Sequence, residues 1–309
     1  MSDSRLNMPV CLIIFNRPEH TRRALEGIRL VRPKWLFVVA DGPRKDVPED
    51  TDACISARAV LKGVDWDCEL STNYSDINLG CKLRVASGLN WLFDNVDEAV
   101  ILEDDCLPHP SFFRFCEELL QYYRNDSRVM SVSGNNFQNN RSSGSYSYYF
   151  SRYVHVWGWA TWRRAWAHYD VSMTQWPILR DRNWLGDFLV DARQVRYWSY
   201  IFQEAYESLD TWDYAWMFAC WLQNGLSITP NVNLVSNIGF GPSSTHTVQT
   251  VSRFANMPAE EMIFPIKHPS RVVRDFGADD FTEEIMFSGV LNNLFERIRT
   301  KRKDLSKTL

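Results

Sequence analysis

The chain has 309 residues, 45% of them hydrophobic and 23% charged, with a formal net charge of −4. That length and balance suit a globular chain with a substantial core and exclude a disordered one. The acidic balance argues against a general nucleic-acid binder, which would carry a basic face. The seven cysteines are odd in number and form no Cys-x-x-Cys pair. Reduced thiols in a cytosol fit that pattern better than a disulfide framework or a zinc knuckle. The apolar stretch near the N-terminus is too short for a signal peptide, and no run reaches the roughly 18 apolar residues of a membrane span. The Asn-x-Ser sequons at Asn73, Asn125 and Asn140 therefore read as chance matches.

Residues 9–15, a short β-rich run before a polar break, predict a buried strand. Residues 18–30 predict a helix with Pro18 in its first turn. A strand at 34–40 runs into the turn Asp41-Gly42-Pro43, a helix covers 50–63, and a third strand covers 68–74. The periodic segment 83–96 predicts a helix with Leu83, Ala86, Leu89, Leu92 and Phe93 on one face. A fourth strand at 98–105, a helix at 111–126 and a fifth strand at 128–136 follow. Strand–helix alternation of this kind predicts an α/β fold with a mostly parallel central sheet and helices on both faces. Ligands of such folds gather at the carboxyl ends of the strands. The polar punctuation falls at those ends: Asn16 and Arg17, then Asp41, then Glu103, Asp104 and Asp105.

The pattern changes after residue 140. Residues 148–169 are aromatic and predict a strand, a loop and then a helix. Residues 195–224 predict helix, and 226–240 predict strands. Residues 241–250 form a Gly/Pro/Ser/Thr loop, which with Gly239 suggests a flexible segment. Most of the 13 tryptophans lie between Trp157 and Trp221 and are expected in the core, with Trp157 or Trp159 available to stack on a sugar. The last 30 residues predict an amphipathic helix with a basic end. Two readings stand for it: a packing helix with a solvated tail, or a segment docking on an anionic membrane surface where a lipid-linked acceptor would lie.

Three adjacent carboxylates at a strand end call for a cation. Hard divalent ions prefer oxygen ligands, and such an ion can bridge carboxylates to a diphosphate. The ordered set of FNRP at 15–18, ADGPR at 40–44, NLGCK at 78–82, VILEDD at 100–105, WGWATW at 157–162 and TWDYAWM at 211–217 carries a resemblance. The chain resembles GT-A glycosyltransferases over roughly residues 8–246. It is similar in particular to the N-acetylglucosaminyltransferase I family and to sugar-nucleotide transferases of bacterial polysaccharide loci.

The resemblance implies a Rossmann-like GT-A domain over residues 1–270. Residues 8–140 would bind the nucleotide sugar and 141–270 the acceptor, with 271–309 as the C-terminal helix and basic tail. It implies Mn²⁺ or Mg²⁺ as cofactor, held by Asp105 and completed by a C-terminal histidine, here His246. Asp104 and Glu103 would meet the ribose or a metal-bound water. Arg17 would reach the nucleotide and diphosphate, Asp41 would accept from a uracil ring, and Lys82 and Arg84 would lie near the donor phosphates.

Inverting transfer needs a base for the acceptor hydroxyl. Asp213, among aromatics at a predicted helix start, fits that role, since burial raises a carboxyl toward a useful pKa. An acid favoured by the helix dipole is the competing reading, and Asp210 is the second candidate base. The related family has two adjacent acids here, whereas this chain has one, followed by Tyr214 and Ala215.

The expected activity is transfer from a UDP-hexose such as UDP-N-acetylglucosamine to a hydroxyl of a glycan or lipid-linked acceptor, on the cytoplasmic side of bacterial surface-polysaccharide assembly. The rival readings are a sugar-nucleotide nucleotidyltransferase and a non-catalytic carbohydrate-binding protein on the same fold. The first would show a glycine-rich N-terminal loop, and residues 15–23 contain no glycine.

Overall fold

The computed structural model describes residues 5–139, 145–240 and 254–287. The first half follows the predicted alternation: β1 (Val10–Ile14), α1 (Pro18–Arg29), β2 (Trp35–Ala40), α2 (Glu49–Ala59), β3 (Glu69–Tyr74), α3 (Gly80–Asn95) and β4 (Glu98–Glu103). A short β5 (Cys106–Pro108), α4 (Pro110–Tyr122) and β6 (Val129–Ser133) come next. The second half holds β7 (Tyr148–Ser151), β8 (Trp159–Trp162), α5 (Arg163–Trp166), α6 (Trp176–Asp181), α7 (Trp184–Phe188), α8 (Ala192–Glu207), α9 (Asp213–Leu222), β9 (Leu226–Pro230) and β10 (Val235–Asn237). The helix α10 (Phe276–Thr282) runs into a π-helical turn at Glu283–Phe287. Residues 288–309, which carry the basic end, lie outside the described residues.

Eight strands form one sheet in the order β3-β2-β1-β4-β8-β6-β9-β7. β3, β2, β1 and β4 are parallel neighbours. β1, β2 and β4 are largely apolar because both their faces are covered, whereas β3 is the polar, largely exposed edge. β8 enters antiparallel between β4 and β6. β6 and β9 are parallel, and β7 closes the edge antiparallel to β9. The sheet thus takes strands from both halves of the chain.

β8 was not foreseen in the segment read as loop and helix. It is buried on both faces, so WATW shows no alternation. Trp162 turns toward α4 and donates Nε1–H to the Leu120 carbonyl at 3.1 Å. Trp159 turns the other way and stacks on Trp212 at 5.4 Å. Trp159, Trp162, Trp176, Trp198, Trp216 and Trp221 are all fully buried, so the tryptophan cluster is chiefly core. Leu83 corrects the expected apolar face of α3: it is exposed, and Val85 is buried with Ala86, Leu89, Leu92 and Phe93. The predicted helix at 195–224 is two helices, broken at 208–212. All seven cysteines are unpaired. Among the described residues no helix is long and apolar enough to cross a membrane.

Candidate active site

A cavity of about 650 Å³ opens at the carboxyl ends of β1, β2 and β4 and is closed on its other side by α8, α9 and the turn at 283–287. Its size is that of a small-molecule site. β4 delivers Glu103 to its wall, and the two residues after it are Asp104 and Asp105. Arg17 stands at the N-terminus of α1, where Pro18 occupies the first turn and needs no partner for an N–H.

The Arg17 guanidinium joins both aspartates. Its Nη2 donates to Asp104 and, at 3.0 Å, to Asp105 Oδ2. The three side chains are largely withdrawn from solvent. Asp105 is held from behind by β10, which pairs with β5: its carbonyl accepts the Ile238 N–H at 2.9 Å. Gly239 follows, and a Cβ there would come within 2.0 Å of Asp105 Oδ2, so only glycine lets this loop pass the carboxylate. Burial, then the charges of Asp105 and Asp104, push the Glu103 carboxyl well above the usual carboxylate range. Burial also raises Asp104, although the Arg17 charge opposes it. One guanidinium therefore faces more acid than it can neutralise.

The opening of α3 shows what two predicted site residues do locally. Leu79, at its N-cap, brings no capping side chain. Asp41 accepts from the N–H groups of Leu79 at 3.0 Å and Gly80 at 3.1 Å, and from the Asn78 amide at 3.0 Å. Asp210 accepts from Cys81 at 3.0 Å and Lys82 at 2.8 Å. Together they satisfy the orphan donors of the first turn. Gly80, at φ +77°, makes the turn. Lys82 Nζ donates to the Ala205 carbonyl at 2.5 Å. Arg84 is buried and binds the carbonyls of Ala40 at 3.1 Å and Asn73 at 2.6 Å, tying α3 to the ends of β2 and β3. Asp41, Arg84 and Asp210 also line the cavity.

Asp213 lies in the first turn of α9, lines the cavity and accepts from the Thr211 hydroxyl. Its charge contributes to the raised pKa of Glu103 and Tyr214, which places it near the acidic strand end. Trp157 lines the cavity, whereas Trp159 is core. His109, flanked by Pro108 and Pro110, caps α4 through Nδ1, which accepts the Ser111 N–H at 3.2 Å. His246 lies outside the described residues. Two cavity residues escaped the sequence reading: Asn135, just beyond β6, and His155, inside an aromatic run that reads as core.

No protein family matches this chain, and no curated protein does. Among solved structures it is similar to a 4-diphosphocytidyl-2C-methyl-D-erythritol synthase from Anaerococcus prevotii, at 12% identity and a TM-score of 0.33, over 52% of this chain and 74% of that one. It is similar to a UDP-glucose pyrophosphorylase complexed with UDP-glucose, at 13% identity and a TM-score of 0.28, over 47% of this chain and 62% of that one. It is also similar to mouse xyloside xylosyltransferase 1, at 11% identity and a TM-score of 0.33, over 68% of this chain and 80% of that one.

Proposed function

We propose that the cavity binds a nucleoside-diphosphate sugar and transfers its sugar to a hydroxyl of a glycan or lipid-linked acceptor, with inversion. The observation that carries this is the meeting of the acid-tipped β4, Arg17 and Asp213 in one cavity at the carboxyl ends of parallel strands. UDP-N-acetylglucosamine or another UDP-hexose is the favoured donor.

The donor set fits a hard divalent ion. It is all oxygen and carries excess negative charge. Mg²⁺-type sites use one or two carboxylates and leave the remaining positions to water and substrate phosphates. Among the described residues no three His, Cys, Asp or Glu side chains converge on one point, so the shell needs those outside ligands. Asp105, with Asp104, would hold Mn²⁺ or Mg²⁺, which would offset the charge of the departing diphosphate.

In this reading Arg17 exchanges the aspartates for the diphosphate once the donor is bound. Asp213 takes the proton of the attacking hydroxyl as the bond from the anomeric carbon to the diphosphate breaks. Asp210 is the weaker candidate, because its oxygens already accept two backbone N–H groups.

The test is nucleotide release from UDP-, GDP-, CMP- and dTDP-sugars, with Mn²⁺ and with chelator, for the wild type and Asp105→Ala. Release that needs the ion and disappears in the variant is the expected result. Absence of both release and ion-dependent donor binding would sink the reading.

A further inference from the structure

Beside the acidic strand end lies a part of the cavity built differently. Phe137 packs edge-on against Trp157 at 5.4 Å and against His155 at 4.7 Å. Trp157 in turn meets Phe240 at 5.5 Å. Phe240 follows Gly239, the residue pressed against Asp105, so this aromatic box adjoins the acids. Its floor is fixed by the backbone: Gly134 N–H donates to the Gly158 carbonyl at 2.8 Å, which pins the end of β6 to the entry of β8.

Among the described residues one buried polar atom of this box has no partner, and one imidazole lines the cavity without a hydrogen bond. Asn135 is only 1% exposed. Its Nδ2 donates to the Val235 carbonyl at 3.2 Å, and its Oδ1 accepts from nothing. His155 is 7% exposed, lines the cavity, and makes no hydrogen bond through its ring among the described residues. A buried polar atom left unpaired costs about 1–3 kcal/mol, so the Asn135 oxygen, in a cavity that a histidine ring also lines, points to a ligand that completes it. The ligand's character follows from the walls. Burial alone pushes His155 down to about 4, so at neutral pH it is an uncharged ring with one donor and one acceptor. Asn135 is neutral as well. Aromatic faces with neutral hydrogen-bonding groups suit a polyhydroxylated ring and offer no counter-charge to an acidic one.

We infer that His155 and Asn135 hydrogen-bond the hydroxyls of an uncharged hexose, the sugar that is transferred, in a box walled by Phe137, Trp157 and Phe240. This rests on the reading of the cavity as a nucleotide-sugar site and adds which sugars it takes. His155 and Asn135 are specificity residues here, reading the sugar rather than the nucleotide.

Calorimetric titration in Mn²⁺ tests it, using UDP, GDP and dTDP, each alone and as its glucose conjugate, and UDP-glucuronic acid. His155→Phe fills the ring's place without its nitrogens and is expected to weaken the bound conjugate about tenfold, leaving the bare nucleotide within about twofold. His155→Gln, which keeps a donor and an acceptor, recovers most of that loss. The wild type is expected to bind UDP-glucuronic acid about tenfold more weakly than UDP-glucose, an arm that needs no variant to fold. Equal weakening of conjugate and bare nucleotide by His155→Phe, an unchanged conjugate, or a glucuronate that binds as well as glucose would each overturn the inference while leaving the donor site standing. A wild type that binds no nucleotide and no conjugate overturns the donor-site reading, and this inference with it.

Discussion

Asp210 Oδ1 accepts the backbone N–H of Lys82 at 2.8 Å, joining the loop before α9 to the first turn of α3. The same carboxylate accepts from Cys81, so it closes a helix that brings no cap of its own. In the proposed reaction Asp213, in the first turn of α9, has a different role from this capping acid. Asp210→Ala is expected to lower unfolding free energy by about 1 kcal/mol, as loss of an N-cap does. Asp213→Asn is expected to leave stability within about 0.5 kcal/mol and to lower kcat by about 10²–10⁴, as loss of a general base does. Urea unfolding and donor turnover on both variants check the pair of outcomes. A reversed pattern would make Asp210 the base.

The Arg17 guanidinium pairs with both Asp104 and Asp105. Arg17→Ala leaves those buried carboxylates uncompensated, and about 3–5 kcal/mol of stability should go with it. Mn²⁺ should return part of that loss. The rise in Tm on adding the ion is therefore expected to be larger in Arg17→Ala than in the wild type. An ion that stabilises neither protein would remove these aspartates from the list of metal ligands.

His155 sets a pH dependence with a defined sign. Its folded pKa lies at about 4 against an ordinary 6.5, because burial disfavours the imidazolium. Below 6.5 the unfolded chain takes up a proton that the folded chain refuses, so the contribution is fully present above 6.5 and is lost as pH falls toward 4. The wild-type loss of unfolding free energy from pH 7 to pH 4.5 should exceed that of His155→Phe. Parallel curves for the two would mean that the histidine is charged or solvated in the folded chain.

Trp157 and Trp159 stand two positions apart and should respond in opposite ways. Trp159 is fully buried against Trp212 and Trp216, and its truncation to alanine should cost about 3–5 kcal/mol. Trp157 borders the cavity, so Trp157→Ala should lose less stability but weaken nucleotide-sugar binding more. Guanidinium unfolding and donor titration on both variants separate core from site.

β1, β2 and β4 and their polar tips were legible because each is a short, largely apolar run that ends abruptly in a charged or turn residue. That rule placed Arg17, Asp41 and the Glu103–Asp105 triplet at the strand ends that border the cavity, while the roles expected of them came from the resemblance. What stayed hidden depends on pairing across distance. β8 gives no periodic signal because both of its faces are covered. β5 and β10 are strands only because they meet each other. The capping roles of Asp41 and Asp210 arise from a helix start remote in sequence. His155 sat in a run whose composition says core, and only the cavity beside it distinguishes it from a packed ring.

β8 enters the sheet where β4 leaves it, with Trp159 opposite Ile101. The segment that carries His155 and Trp157 is therefore the lead-in to a strand whose register is locked on both sides. A one-residue insertion or deletion in 152–158 would either slip β8, turning Trp159 and Trp162 to the wrong faces, or drag the two side chains out of the cavity. Length variation here is thus forbidden while side-chain variation is not. Homologues should diverge in sugar preference by substitution at fixed spacing, and a loop exchanged between two of them should carry its preference along only when the residue count is kept.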